Sequence, residues 1–103
     1  MIETQKSMSD WAQDTFGPVG SNVRVAARAN EEMAELLRAL SSDDLHPKAA
    51  EEIADVVIIL NRLATRLGVD LAAEIDRKMK INRARVWKKD NSGHGYHVRD
   101  KAA

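Results

Sequence analysis

Apolar residues recur along this chain at spacings of three and four, and the recurrences break at glycine-, proline- and aspartate-bearing stretches. Val25, Ala26, Ala29, Met33, Leu36, Leu37 and Leu40 mark one face of a helix that starts at a Ser21-Asn22 cap and runs to about Leu40. Before it, a short helix through Phe16 is capped by Ser9-Asp10 or begins nearer Gln5, and Gly17-Pro18-Val19-Gly20 ends it. After the polar loop Ser41 to Asp44, Pro47 fits the first turn of a third helix that reaches about Leu67 and closes at Gly68. From Ile53 to Leu60 only Asp55 interrupts the apolar residues, so this helix is hydrophobic nearly all round and must be covered on more than one side.

Asp70 caps a fourth helix through about Trp87, with Leu71, Ile75, Met79 and Val86 on one side and Lys78, Asn82 and Arg85 on another. The stretch Lys88 to Ala103 is polar, carries glycine and has no periodicity, which predicts a flexible tail. No strand pattern competes. The expectation is an all-α protein: a four-helix bundle forming one domain over residues 1–103. One chain has too few helices to cover the third, so the bundle is expected to be completed by oligomerisation.

Composition narrows the partners. Sixteen basic residues balance sixteen acidic ones, so no global field favours a nucleic acid polymer or an anionic membrane, and phosphate binding must come from local arrangement. There is no cysteine, hence no disulfide framework and no thiolate metal site. Met1 to Asp10 lacks the apolar stretch of a signal peptide, and the run Val56 to Leu60 is far too short to span a bilayer. The expected location is cytoplasmic.

Two acidic couplets carry the chemistry. Glu31-Glu32-Met33-Ala34-Glu35 lies on the second helix and Glu52-Ile53-Ala54-Asp55 on the third, with residues 36–51 between them. Carboxylates three and four positions apart share a helical face. Asp55 adjoins the apolar run, where an unpaired carboxylate is costly and a cation is the natural partner. Carboxylates converging from two helices, with no histidine or cysteine among them, make a hard oxygen site suited to Mg²⁺ or Mn²⁺. A di-iron centre would call for Glu-x-x-His pairs, which neither couplet has. The ordinary alternative is a solvated acidic face.

On the fourth helix, Lys78, Asn82 and Arg85 at i, i+4 and i+7 form a face able to hold phosphate, or a basic last turn that complements the helix dipole. Trp11 and Phe16 either stack on a planar ligand or seal one end of the bundle, and Trp87 reads as packing. Gly93 and Gly95 let His94, Tyr96 and His97 act as a lid or trail as a tail.

Together, Glu31-Glu32-x-x-Glu35, Glu52-x-x-Asp55 and Lys78-x-x-x-Asn82-x-x-Arg85 resemble the MazG-like all-α nucleoside triphosphate pyrophosphohydrolases over roughly Ser21 to Trp87. The opening Trp11-Ala-Gln-Asp-Thr-Phe16-Gly-Pro is similar to the phage-type dATP/dGTP pyrophosphohydrolase branch. The resemblance implies that Glu32, Glu35, Glu52 and Asp55 bind Mg²⁺, with Mn²⁺ as substitute, and that Glu31 is a further ligand or the base that orients water. It implies that Lys78, Asn82 and Arg85 hold the phosphates; Trp11, as an aromatic able to stack a purine, and His94 and His97, on the glycine-hinged segment, are expected at the substrate as well. The implied reaction is hydrolysis of the α–β phosphoanhydride of a nucleoside triphosphate to a monophosphate and pyrophosphate, with purine deoxynucleotides, dGTP or dATP, preferred. The implied assembly is a homodimer or homotetramer. Two other classes remain open on the sequence: a non-catalytic helical interaction module, and a degenerate relative that binds nucleotide without turnover.

Overall fold

A computed structural model describes residues 2–99. Four helices form, α1 (Gln5–Phe16), α2 (Asn22–Leu40), α3 (Ala49–Arg66) and α4 (Leu71–Ala84), followed by two short strands, β1 (Trp87–Lys89) and β2 (Gly95–His97). The chain divides into two compact units, one up to Leu71 and one from Ala72 onward. The fold is all-α, as the helical periodicity predicts. Among the described residues no helix is long and apolar enough to cross a membrane.

In the first unit α3 is the hub, packing chiefly on α2 and also on α1. Helix α1 starts at Thr4, the earlier of the two expected beginnings. Thr4 Oγ1 accepts from the Ser7 amide at 3.0 Å, and Ser7 Oγ accepts from the Thr4 amide at 2.7 Å, so each satisfies the other's free donor. Ser9 is therefore free to serve as an interhelical residue. It is buried, donates to Gln5 O at 2.6 Å and lies 2.8 Å from Thr65 Oγ1 on α3. With Ala12 also buried, small side chains let α1 sit close against α3. Gln5 pins the far end of this seam, donating to Val69 O and accepting from the Leu71 amide, both at 2.8 Å. Gly17 ends α1 at φ 76°, a conformation where a side chain would cost about 1 kcal/mol or more.

Ser21 caps α2 as expected, accepting from the Arg24 amide at 3.2 Å. The buried stripe of α2 is Val25, Ala29, Glu32 and Ala39, facing the Ala49, Val56 and Ala64 stripe of α3. Burying Val25 and Val56 contributes on the order of 1.5–3 kcal/mol each. A second apolar stripe is open among the described residues: Met33, Leu37 and Leu40 on α2, and Ile53, Val57 and Leu60 on α3, are all 38–60% exposed. Pro47 opens a separate 3-10 turn, His46–Lys48, rather than α3 itself.

The second unit departs from expectation. Helix α4 ends at Ala84 instead of near Trp87, and the stretch expected to be a tail from Lys88 pairs as an antiparallel hairpin, with Trp87 opposite His97, Lys88 opposite Tyr96 and Lys89 opposite Gly95. Asp90 organises the turn: its Oδ1 accepts from the Ser92 amide at 2.8 Å, Ser92 Oγ at 2.7 Å and the His94 amide at 3.2 Å. Asn91 and Gly93 supply the positive φ angles of 67° and 92°. Trp87 packs back on the helix end, its Nε1 donating to Asn82 O at 2.7 Å. Residues 100–103 of the expected tail lie outside the described residues.

Candidate metal and nucleotide site

Helical spacing places Glu32 on the buried stripe of α2, and the packing of α2 on α3 brings it to Glu52 and Asp55. One carboxylate oxygen from each of these three residues lies within 4.8 Å of the other two. Glu32 is 6% exposed, Glu52 is half-buried and Asp55 exposed, so the cluster runs from the helix interface outward. Glu32 Oε2 and Glu52 Oε2 are buried and have no hydrogen-bond partner. Like charges this close, partly removed from water, oppose one another. Burial pushes the Glu32 carboxyl up, against the pull of Arg28, and Glu35 and Asp55 push it further. Burial likewise raises Glu52, with Glu35, Glu32 and Asp55 adding to the shift.

The remaining expected carboxylates are arranged differently. Glu35 is exposed, yet close enough that its charge raises both Glu32 and Glu52. Glu31 turns to Arg28, its Oε2 accepting from Nη1 at 2.9 Å. Arg28 also pairs with Glu32 Oε1, at 2.6 Å from Nη2.

A cavity of about 700 Å³ opens in the first unit beside these acids. Glu31, Glu32 and Asp55 line one part of it, Trp11 and Phe16 another, and Ile58 and Ile59 of α3 contribute apolar wall. The two aromatic rings meet edge to face, centroids 5.4 Å apart at 84°. At 54% and 66% exposure they form a rim of the cavity and do not close the helices over a core. Arg24, Arg28 and Arg62 also line it. Arg62 Nη2 donates to Gly17 O at 2.8 Å, fastening the cavity end of α1 to α3.

Sequence reasoning missed these arginines. Arg28 had a legible signal, its i, i+3 and i, i+4 spacing to Glu31 and Glu32. Arg62 had none, because its partner is 45 residues away along the chain. Lys78, Asn82, Arg85, His94 and His97 belong to the second unit. There Lys78 and Asn82 share a face of α4, but Arg85 follows the helix end and leads into β1, which corrects the expected three-residue helical face. Asn82 Oδ1 is buried and has no hydrogen-bond partner. His97 stacks obliquely on Trp87, centroids 5.9 Å apart.

The MazG-like family pattern matches residues 29–98, which takes in both acidic couplets, α4 and the hairpin. A dATP/dGTP diphosphohydrolase of Salmonella phage PMBT28 is 37% identical over 100 residues, covering 97% of this chain and 32% of that protein. A dATP/dGTP diphosphohydrolase of Cyanophage S-2L is 42% identical over 72 residues, covering 70% of this chain and 64% of that one. This chain thus spans about a third of the first relative and just under two-thirds of the second. Among solved structures, the Cyanophage S-2L MazG-like pyrophosphohydrolase bound to dGDP and three catalytic Mn²⁺ ions per active site superposes with a TM-score of 0.74 at 34% identity, covering 92% of this chain and 93% of that one. With the family pattern spanning most of its length and relatives of this identity, the chain belongs to the MazG-like family.

Proposed function

We propose that this chain is a divalent-metal-dependent nucleoside triphosphate pyrophosphohydrolase that cleaves the α–β phosphoanhydride to a nucleoside monophosphate and pyrophosphate, with purine deoxynucleotides preferred. The observation that carries this reading is the convergence of Glu32, Glu52 and Asp55, two of them with a buried oxygen that has no protein partner, at the edge of a cavity rimmed by Trp11 and Phe16. A protein gains nothing from gathering such carboxylates unless a cation meets them. All-oxygen donors of this kind fit Mg²⁺ and Mn²⁺. The Mn²⁺ and dGDP of the solved relative, and the names of the phage relatives, support the same reading.

Glu32, Glu35, Glu52 and Asp55 would hold the metal, which when bound would supply charge neutralisation and Lewis-acid polarisation of the phosphoanhydride. The chain's own residues divide the rest. Glu31, exposed and paired with Arg28, would act as a further ligand or orient the attacking water. Trp11, a half-exposed aromatic lining the cavity, would stack on the base. Lys78, Asn82 and Arg85 are assigned to the phosphates on residue type, two cations and an amide suiting a departing pyrophosphate. His94 and His97 are assigned to closure over the nucleotide. No covalent nucleophile is required.

The exposed stripe of Met33, Leu37, Leu40, Ile53, Val57 and Leu60 supports assembly as a homodimer or homotetramer, since a contiguous apolar face of this kind marks an interaction surface. The test of the activity is a panel of deoxy- and ribonucleoside triphosphates with Mg²⁺ or Mn²⁺, read by product analysis. Pyrophosphate together with the monophosphate is expected. Orthophosphate release, or no turnover of any nucleotide by folded protein, would overturn the reading.

A further inference from the structure

Arg28 lines the cavity together with Glu32 and Asp55 of the acidic cluster. One turn before Glu32 on α2, its guanidinium spans two acids of unlike character. Glu32 is buried, and its pairing with Nη2 at 2.6 Å compensates a charge that water cannot reach well. Glu31 has a side chain 67% exposed, and its contact with Nη1 at 2.9 Å is a surface ion pair. Such pairs contribute only about 0–1 kcal/mol, so this second contact is easily given up.

Two further facts point the guanidinium at a ligand. The Arg28 side chain is 55% exposed and lines the same cavity as Trp11 and Phe16. Its two carboxylate contacts also engage only part of the five-donor fork. A guanidinium fits phosphate oxygens as well as it fits a carboxylate, and a triphosphate carries more charge than the exposed Glu31.

We propose that Arg28 is a phosphate-binding residue: it keeps its contact with the buried Glu32 and exchanges the exposed Glu31 contact for an oxygen of the bound triphosphate. This rests on the reading of the chain as a metal-dependent pyrophosphohydrolase. It adds a cation on α2 that lines the cavity itself. It also ties one carboxylate of the cluster to the substrate through a single planar guanidinium.

The alternative is that Arg28 only props Glu32, and the two roles separate in binding measurements. Mn²⁺ affinity of the nucleotide-free protein is measured by electron paramagnetic resonance, and the affinity for α,β-methylene-dGTP at saturating Mn²⁺ by calorimetry. Arg28→Met is expected to bind Mn²⁺ as tightly as the parent protein or more tightly, because a positive charge has left the cluster, while the analogue binds about tenfold more weakly. Arg28→Lys, keeping the charge without the fork, should fall between the two. Analogue affinity within twofold of the parent in Arg28→Met would overturn the proposal, as would a loss of Mn²⁺ affinity as large as the loss of analogue affinity. Parent protein that binds neither probe would sink the pyrophosphohydrolase reading and this proposal with it; parent protein that binds both, with an indifferent Arg28→Met, would sink this proposal alone.

Discussion

Glu32 of α2 and Glu52 of α3 each hold one buried carboxylate oxygen without a partner, in the same small space and with Asp55 beside them. Burial makes both harder to ionise, Glu35 and Asp55 add to the rise at each and Glu32 adds to that at Glu52, so the cluster is a stored repulsion between the two most extensively packed helices. Replacing Glu52 by Gln keeps the shape and removes one charge. Turnover should fall by on the order of 10²-fold or more, with the metal-free melting temperature unchanged or higher. Steady-state kinetics and calorimetry of the variant check both halves; parent-like turnover would take Glu52 out of the mechanism.

The same repulsion sets a pH dependence. Both carboxyls are held above their ordinary value of 4.5, so the folded chain favours their protonated forms. That contribution to stability is fully present below about pH 4.5 and is lost as pH rises through the raised folded values. Through these two groups, protein kept in chelator should lose stability between mild acid and neutral pH. Mn²⁺, which needs ionised ligands, should restore it most at neutral pH, by about 2.7 kcal/mol at a hundredfold excess over its dissociation constant. Melting curves at pH 4.5 and 7, in chelator and in Mn²⁺, measure this; an equal Mn²⁺ shift at both pH values would contradict it.

What was legible in the sequence is what local spacing encodes. Ser21 announces α2 because a cap acts on the next turn, and Glu32, Glu52 and Asp55 announce the cluster because i, i+3 neighbours share a face and Asp55 adjoins an apolar run. The hairpin was not legible: its strands are three residues long and almost wholly exposed, so they leave no two-residue alternation to read. The contact from Arg62 to Gly17, and with it the shape of the cavity, depends on α1 docking on α3 and has no local trace. The end of α4 escaped because Arg85 and Val86 continue the helical spacing although the backbone has already turned toward β1.

Gly95 is the residue on which the hairpin depends. A Cβ there would sit 2.5 Å from the backbone oxygen of Lys88 on the facing strand, and a backbone atom cannot step aside as a flexible side chain does. Gly95→Ala should separate β1 from β2 and release Trp87 from Asn82 O, leaving the first unit folded. Loss of the Lys88 to Tyr96 cross-strand contacts in nuclear Overhauser spectra, with helical circular dichroism retained, is the expected result. If His94 and His97 close over the nucleotide, the Michaelis constant rises in this variant. Unaltered kinetics with a broken hairpin would make the segment a bystander.

Assembly should depend on one side of α3 only. Ile58 and Ile59 line the cavity, whereas Val57 is 45% exposed on the stripe it shares with Ile53 and Leu60. Val57→Asp should therefore reduce a dimer or tetramer to protomers at micromolar concentration, by light scattering, through the cost of burying a charge in an apolar interface. A parent protein that is already monomeric, or a Val57→Asp variant that assembles normally, would remove this stripe as the interface.

Substrate choice turns on Trp11. Its ring is half exposed, stands nearly perpendicular to that of Phe16 and lines a cavity that Glu31, Glu32 and Asp55 also line. A purine covers more of an indole face than a pyrimidine does, so dGTP and dATP should be turned over ahead of dCTP and dTTP. Stacking of one base on an aromatic side chain is worth about 1–3 kcal/mol, so Trp11→Ala should raise the Michaelis constant for dGTP by roughly tenfold or more. The effect on dCTP should be smaller, and the purine preference should narrow. Faster turnover of dCTP than of either purine by the parent protein would overturn the preference itself. A Trp11→Ala variant that still favours purines to the same degree would instead place the base against another wall of the cavity, with Ile58 and Ile59 the next residues to replace.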